Sequence, residues 1–300
     1  MNEKNALLLD VFETKACPAC GREHSRRLLF KLRNTNLYQC VCGLKFIDPS
    51  LTEESMMQIY QSTEELSQVN PVLSHYYEYE TLNPASKTHR DYIITLKRLA
   101  SYTKGRFLLE IGCGYGSFLK VAQGQGWEVL GVDSSSENIE ALQKKRIRGI
   151  CSDFLKLKCK FRFDVIVLWD LIEHPRNPVA FLRKTYDLLK PNGLVVIATP
   201  YDPNLLSVLA TWLYQLSMGK IRYPIEKFYV IEHTSYFNLK TLKDLLDLGN
   251  FQLLCSWKTE TDIVRYQLPR WSKFFAKTSF LFARLLHLQN RIILIARKRD

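Results

Sequence analysis

A doubly wound α/β domain preceded by a small cysteine-bearing unit is the fold class that the sequence predicts, and three observations carry it. Short runs rich in Val, Ile and Leu alternate with helical patterns through residues 107–200. The chain has 300 residues, 46% of them hydrophobic, enough to bury a large core. Three glycines, Gly112, Gly114 and Gly116, directly follow the first apolar run. Near-continuous apolar runs between helices denote parallel strands buried on both faces. The turn after the first of them is where ligands of such sheets approach.

The elements follow in order. Residues 1–50 are rich in Cys, Arg and short apolar pairs and lack helical periodicity. Residues 51–102 read as helical: "LTEESMMQIY" follows a proline, and "SKTHRDYIITLKRLASY" sets Tyr92, Leu96 and Leu99 on one face. From 103 to 300 runs the α/β domain, with cover insertions at about 201–237 and 265–289. Its strands are "RFLLEIG", "EVLGVD", "IRGICSD", "FDVIVLWD" and "LVVIATP". Its helices are "SFLKVAQGQG", "SSENIEALQKKR" and "PVAFLRKTYDLLKPNG". An apolar helix near 204–218, an aromatic-rich loop to Phe237, a helix "LKTLKDLLDLG" and strands "FQLLCSW" and "RIILIAR" complete it.

Composition excludes several classes. The opening "MNEKNALLLD" has an apolar run too short for a signal or anchor. The longest uncharged stretch, 203–219, falls short of the roughly 20 apolar residues of a spanning helix. A cytoplasmic location is therefore expected, and the eight cysteines are expected as thiols. The net charge of +12 is all C-terminal: residues 1–100 balance 12 acidic against 12 basic, and 265–300 hold nine basic against one acidic. That tail suggests an anionic partner, and its aromatic residues fit a membrane surface, or equally a helix packed on the α/β core with a solvated basic face, better than nucleic acid.

Chemistry concentrates at the strand ends. A side chain at Gly112 or Gly114 would block a ligand from the helix N-terminus, and the acidic Glu110 disfavours pyrophosphate while suiting a cationic ligand. Asp133, 21 residues after Gly112, ends the second strand, where a carboxylate grips a ribose diol. Asp153, read as the end of strand three, precedes Phe154, whose ring could carry an adenine.

Together "EIGCGYG", Asp133, "SDF", "DVIVLWDLIEHPRNPVAFL" and "LLKPNGLVVIATP" resemble the class I S-adenosylmethionine-dependent methyltransferases, with a Rossmann-like sheet closed by an antiparallel hairpin. The resemblance implies that Glu110, Gly112 and Gly114, with Cys113 between them, cradle the cofactor's amino acid part. It implies that Asp133 and Ser134 take the ribose, Asp153 and Phe154 the adenine, with Asp170 alongside. It also implies methylation of a small or lipid-like acceptor at oxygen or carbon. The alternatives are a nucleic-acid or protein methyltransferase and a non-catalytic binding protein. Base-amine methylation is disfavoured because the fourth strand ends in Asp170-Leu171-Ile172-Glu173, without a Pro-Pro pair.

Two further features resemble parts of that family. "CPACG" and "YQCVCGLKFIDP" resemble the paired knuckles of a zinc ribbon, found at the N-terminus of some members, including certain sugar C-methyltransferases. Cys17, Cys20, Cys40 and Cys42 would hold one Zn²⁺, although the second knuckle is C-x-C rather than C-x-x-C. His24 is a substitute ligand or a solvated histidine. "WDLIEH" resembles the acid-x-x-Glu-His cluster of ubiquinone-pathway O-methyltransferases, proposed there to hold a divalent metal. Here Glu173 and His174 are expected to organise the loop over the cofactor, or His174 to serve as base. A second pair, Glu232 and His233, lies in the cover, and His233 is favoured over His174 as the proton acceptor. Tyr223, Tyr229 and Tyr236 either line an acceptor pocket or belong to the core.

Overall fold

The first strand after the helical segment, β6 (Phe107–Ile111), is an interior strand, third from one edge of a seven-stranded sheet, and sends alternate side chains to opposite faces. Leu109 and Ile111 enter one core and Leu108 the other. The computed structural model describes residues 11–12, 16–69, 86–262 and 270–300. Residues 1–10 and 265–269, named above in the opening stretch and the tail, lie outside the described residues.

Around β6 the chain builds α4 (Ser117–Gly124), β7 (Glu128–Asp133), α5 (Ser136–Lys144) and β8 (Arg148–Cys151) to one side. To the other lie β9 (Phe163–Trp169), α6 (Pro178–Leu188) and β10 (Leu189–Pro200). Beyond them come α9 (Leu239–Leu248), β12 (Phe251–Thr259) and β13 (Arg291–Lys298). The sheet order is β12-β13-β10-β9-β6-β7-β8. Strands β6 to β10 are parallel, and β13 runs antiparallel to both β10 and β12, which is the expected closing hairpin. Order reverses between β6 and β9, so a crevice opens at their carboxyl ends. The helix α3 (Lys87–Tyr102) buries Tyr92, Leu96 and Leu99 against the same core as α4 and α5, while α6 and α9 cover the opposite face.

Two boundaries differ from the sequence expectation. Strand β8 ends at Cys151, so Asp153 lies in the following turn rather than at the strand end. Helix α6 stops at Leu188, not Gly193, because Pro191 bars its predecessor from helical geometry. Lys298 Nζ then satisfies the freed carbonyls of Tyr186 (2.8 Å) and Leu189 (3.1 Å). Residues 189–193 instead extend β10 through an irregularity at which Asn192 takes φ +59°.

The N-terminal unit pairs β2 (Arg26–Lys31), β3 (Asn36–Cys40) and β4 (Lys45–Asp48) antiparallel. A fourth strand, β11 (Ser235–Tyr236), comes from the cover, giving the order β11-β4-β3-β2. The small β1 (Val11–Phe12) and β5 (Ser50–Leu51) pair beside it. Next come α1 (Glu53–Ile59), capped by the Thr52 side chain, and α2 (Thr63–Val69). The cover itself holds α7 (Leu205–Leu216), α8 (Tyr223–Phe228) and α10 (Arg270–Leu285). The stretch read as an aromatic loop thus contains a helix and a strand. Shared cores tie the layers together: Leu44 and Phe46 pack in one cluster with Phe237, Leu242 and Leu245.

Candidate active site

One cavity of about 1180 Å³ collects nearly every strand-end residue singled out from the sequence. At its sheet end it is lined by Glu110, Gly112, Gly114, Asp133, Ser134 and Asp153, with Phe154 and Asp170 adjoining. Gly112 has φ +67°, and a Cβ there would fall 3.0 Å from Leu171 Cδ1. The loop is therefore bare where the helix N-terminus meets the cavity. Gly116, also left-handed at φ +71°, is the N-cap of α4.

Asp133 is buried, and burial pushes its pKa above the usual carboxylate value, opposed by hydrogen bonds from Ser135 N, Asn138 Nδ2 and Gly114 N. Gly114 N donates to Oδ2 at 2.8 Å, while Ser135 N and Asn138 Nδ2 donate to Oδ1 at 3.0 and 3.1 Å. With the backbone N–H of Ser134 as a fourth donor, these bonds anchor the carboxylate at the cavity. Asp153 Oδ1 accepts from Leu155 N at 2.9 Å, and Phe154 packs against Phe181 with ring centroids 5.3 Å apart. Cys113 also borders the cavity, but its thiol is buried against the sheet: a Cβ on Gly131 would lie 2.7 Å from its Sγ. Asp170, at φ +51°, forms a bidentate ion pair with buried Arg291, at 2.6 and 2.9 Å.

The two Glu-His pairs, 59 residues apart, converge where residues 232–235 bond directly to residues 173–175. Ser235 N donates to Glu173 O (3.1 Å), and Thr234 Oγ1 lies 3.0 Å from that same carbonyl. His174 and His233 end edge to face, with ring centroids 4.8 Å apart. His174 Nδ1–H donates to the Glu232 carbonyl at 2.7 Å, with the Tyr60 hydroxyl 3.3 Å away, so Nε2 carries the lone pair. Burial lowers the pKa of His174, keeping it neutral at ordinary pH. One carboxylate oxygen of Glu173 and one ring nitrogen of each histidine lie within 4.8 Å of one another.

Glu173 is buried, and burial together with nearby Asp170 pushes its pKa up to about 8. Thr199 Oγ1 sits 2.8 Å from its Oε2. The raised folded-state value means that folded protein binds more protons than unfolded protein between the ordinary 4.5 and about 8. Stability is expected to fall as pH rises through that window. Glu173→Gln should flatten this slope and melt higher than wild type at the alkaline end. Parallel pH profiles for the two proteins, measured by thermal unfolding, would contradict the assignment.

Opposite the sheet, the cavity is walled by the cover and the N-terminal unit: Met56, Tyr60, Tyr201, Tyr229, Ile231 and Tyr236 among others. Tyr229 and Tyr236 are buried and Tyr223 is 70% exposed, yet all three border the cavity. The contributions of Tyr60 and of Arg33 and Asn34 are absent from the sequence reading; a tyrosine ending a short amphipathic helix gave no signal. The four cysteines also converge. Cys17 Sγ lies 3.7 Å from Cys42 Sγ and Cys20 Sγ 3.6 Å from Cys40 Sγ. Four sulfurs at about 2.3 Å from a tetrahedral ion stand about 3.8 Å apart. The shortened knuckle is accommodated by Gly43, at φ +98°, whose N–H closes the turn onto Cys40 O (2.8 Å). His24 stands apart, its side chain 81% exposed, which is the solvated alternative.

A family model described as "Methyltransferase domain" matches residues 85–256, more than half of the chain. The chain belongs to this methyltransferase family. Among curated proteins it is similar to ubiquinone biosynthesis O-methyltransferase of Rhodopseudomonas palustris strain HaA2, 32% identical over 105 residues, 33% of this chain and 42% of that protein. The same-named protein of Bradyrhizobium sp. strain ORS 278 is 33% identical over 101 residues, 32% of this chain and 40% of that one. The chain thus spans about two fifths of the length of these relatives. Among solved structures it resembles the magnesium protoporphyrin IX methyltransferase of Synechocystis PCC 6803 with bound SAH. There the TM-score is 0.52 and identity 12%, over 81% of this chain and all of that one. The 1,6-didemethyltoxoflavin-N1-methyltransferase of Burkholderia thailandensis gives 0.51 and 16%, over 92% and 100%. At these identities the likeness is one of fold: the Rossmann-like methyltransferase sheet.

Proposed function

We propose that this methyltransferase-family chain transfers a methyl group from S-adenosylmethionine to the oxygen or carbon of a small or lipid-like acceptor. The observation that carries this is the single cavity joining the glycine loop and Asp133 to the paired histidines. The residues fit the cofactor: bare glycine backbone beside an acid suits a zwitterionic amino acid, and Asp133, fixed at the cavity by backbone donors, offers a carboxylate where a ribose would lie. Glu110, Gly112 and Gly114 would hold the amino acid part, Asp133 and Ser134 the ribose, Asp153 and Phe154 the adenine. Asp170, locked by Arg291, shapes the floor between them. When bound, the cofactor supplies an electrophilic methyl on a sulfonium, so the protein's task is alignment and removal of a proton. His233, in the cover and bordering the cavity, takes that proton; His174, fixed by the Glu232 carbonyl, positions its ring. A cavity larger than the usual 300–1000 Å³ of a single-ligand pocket leaves room for an acceptor beside the cofactor.

Cys17, Cys20, Cys40 and Cys42 are proposed to hold one structural Zn²⁺, supported by their sulfur spacing. No helix among the described residues is long and apolar enough to cross a membrane. The C-terminal tail is not the free basic segment the sequence suggests: Arg291–Lys298 form an interior strand, Arg291 is buried on Asp170, and Arg284, Lys298 and Arg299 are engaged within the fold. A cytoplasmic protein that meets anionic membranes peripherally is proposed on the remaining basic residues of the cover, Lys277 among them.

Replacing Asp133 with Ala should weaken S-adenosylmethionine about tenfold to a hundredfold, since a hydrogen bond to a charged group contributes ~1.5–3 kcal/mol. Calorimetry on the folded variant reads this directly, and unchanged affinity would remove Asp133 from the site. The acceptor class is tested by incubating the protein with methyl-labelled cofactor and extracts separated into lipid, small-molecule, RNA and protein pools. Label in the lipid or small-molecule pool is the expected result; label confined to RNA or protein would overturn the acceptor assignment.

A further inference from the structure

The cover helices are two-faced. On its inner side α7 sets Leu206 and Ser207 against the cavity, and α10 sets Ser279 and Phe280 there. On its outer side α7 exposes Leu209, Trp212, Leu213 and Leu216, spaced i, i+3, i+4 and i+7, hence one helical face. Trp212 is 62% exposed and Leu216 82%. Helix α10 and the turn after it expose Leu281, Phe282, Leu285 and Leu286. The two helices pack side by side, and Leu205 N donates to Leu288 O at 2.9 Å where they meet. The turn after α7 adds Met218, 83% exposed, and Ile221.

Bulky apolar side chains at this density, on neighbouring helices, exceed the scattered exposure normal for a surface and mark a contact site. The charges around them select the occupant. Over 204–230 and 277–288 the chain carries Lys220, Arg222, Lys227, Lys277 and Arg284 against a single acid, Glu226. Arg284 reaches back to Glu260 at 2.7 Å, while Lys220, Arg222, Lys227 and Lys277 are exposed. Apolar faces rimmed by cations, with acids nearly excluded, complement an anionic lipid surface. A second copy of the same face would set cations against cations.

We propose that the outer faces of α7 and α10, with the turn at 217–223, dock on an anionic bilayer, and that the acceptor is a membrane-resident amphiphile entering the cavity past these helices. The acceptor half of this proposal rests on the methyl-transfer reading above; the docking half does not. The inner and outer faces of the same helices thereby connect membrane and cavity, with Tyr223, bordering the cavity yet 70% exposed, at their junction.

The test is sedimentation of the full chain with phosphatidylcholine vesicles of graded phosphatidylglycerol content, at low and high salt, without cofactor. The protein is expected to pellet increasingly with phosphatidylglycerol and to be released by salt. Each basic residue at such a surface contributes about fivefold in affinity, so Lys220→Ser with Arg222→Ser should weaken binding roughly twentyfold or more. Trp212→Glu with Leu216→Glu, and separately Phe282→Glu, should abolish pelleting while thermal melting and calorimetric affinity for S-adenosylmethionine stay at wild-type values. Protein remaining in the supernatant at every composition overturns the docking face. So does pelleting indifferent to these substitutions, or a dimer in solution that Leu216→Glu dissociates. If vesicles bind while S-adenosylmethionine does not, docking stands and methyl transfer fails. If both bind but label appears only in water-soluble acceptors, the entry route fails alone.

Discussion

Removing metal from the N-terminal unit is expected to unfold it and to lower the thermal stability of the whole chain. Structural Zn²⁺ bound by thiolates carries roughly 10–16 kcal/mol of apparent binding energy, which is folding energy wherever the unfolded chain has no preformed site. The unit can replace little of this from its own core. The unit holds only a few fully buried apolar side chains, Leu37 and Phe46 in its strands and Leu44 just before β4 among them, and its sheet borrows β11 from the cover. That loan spreads the effect: loss of β4 frees β11, and with it the Thr234 and Ser235 contacts that hold Glu173 and His174. Chelation should therefore lower activity as well as melting temperature, and Cys40→Ser should reproduce both. One zinc per chain by elemental analysis is the expected stoichiometry. A metal-free protein whose melting ignores chelator would show that the four thiols do not form a metal site.

His233→Ala is expected to lower kcat by about 10²–10⁴-fold, the usual contribution of a positioned base, with little change in cofactor affinity. His174→Ala should cost a similar order, and the double variant little more than either single one, because the edge-to-face pair acts as a unit. The pH profile carries the sign. Burial lowers the pKa of His174, so the neutral ring persists below its ordinary 6.5, and activity is lost only as pH falls further through that depressed value. Removing the Tyr60 hydroxyl that lies 3.3 Å from Nδ1, as Tyr60→Phe does, should move this acid limb rather than the alkaline one. Wild-type kcat in both single variants would show that the acceptor needs no base from these residues.

The α/β beat was readable because a doubly buried strand writes itself as an uninterrupted apolar run. β7, "EVLGVD", was placed to the residue, and β9 differed only in its terminal Asp170. Strand ends read less well where no composition change marks them: β8 stops at Cys151, and Ser152 and Asp153, polar as many edge-strand residues are, lie in the turn that follows. The union of the two Glu-His pairs left no trace in local pattern. It depends on irregular backbone, residues 232–235 bonding the turn at 173–175 across about 60 residues of chain, which shows no period. The thiol cluster was legible from its cysteines, but its tolerance of C-x-C rests on the left-handed Gly43, a backbone property that spacing alone does not reveal.

The central claim is that the glycine loop and Asp133 form a binding site for S-adenosylmethionine. Isothermal titration of S-adenosylmethionine, and separately of its demethylated product, into the full folded chain tests it without knowledge of the acceptor. One site per chain is expected for both ligands, weakened together by Asp133→Ala. Absence of binding heat for both ligands, with a cooperative melting transition proving the protein folded and with no stabilisation of that transition by either ligand, would contradict it.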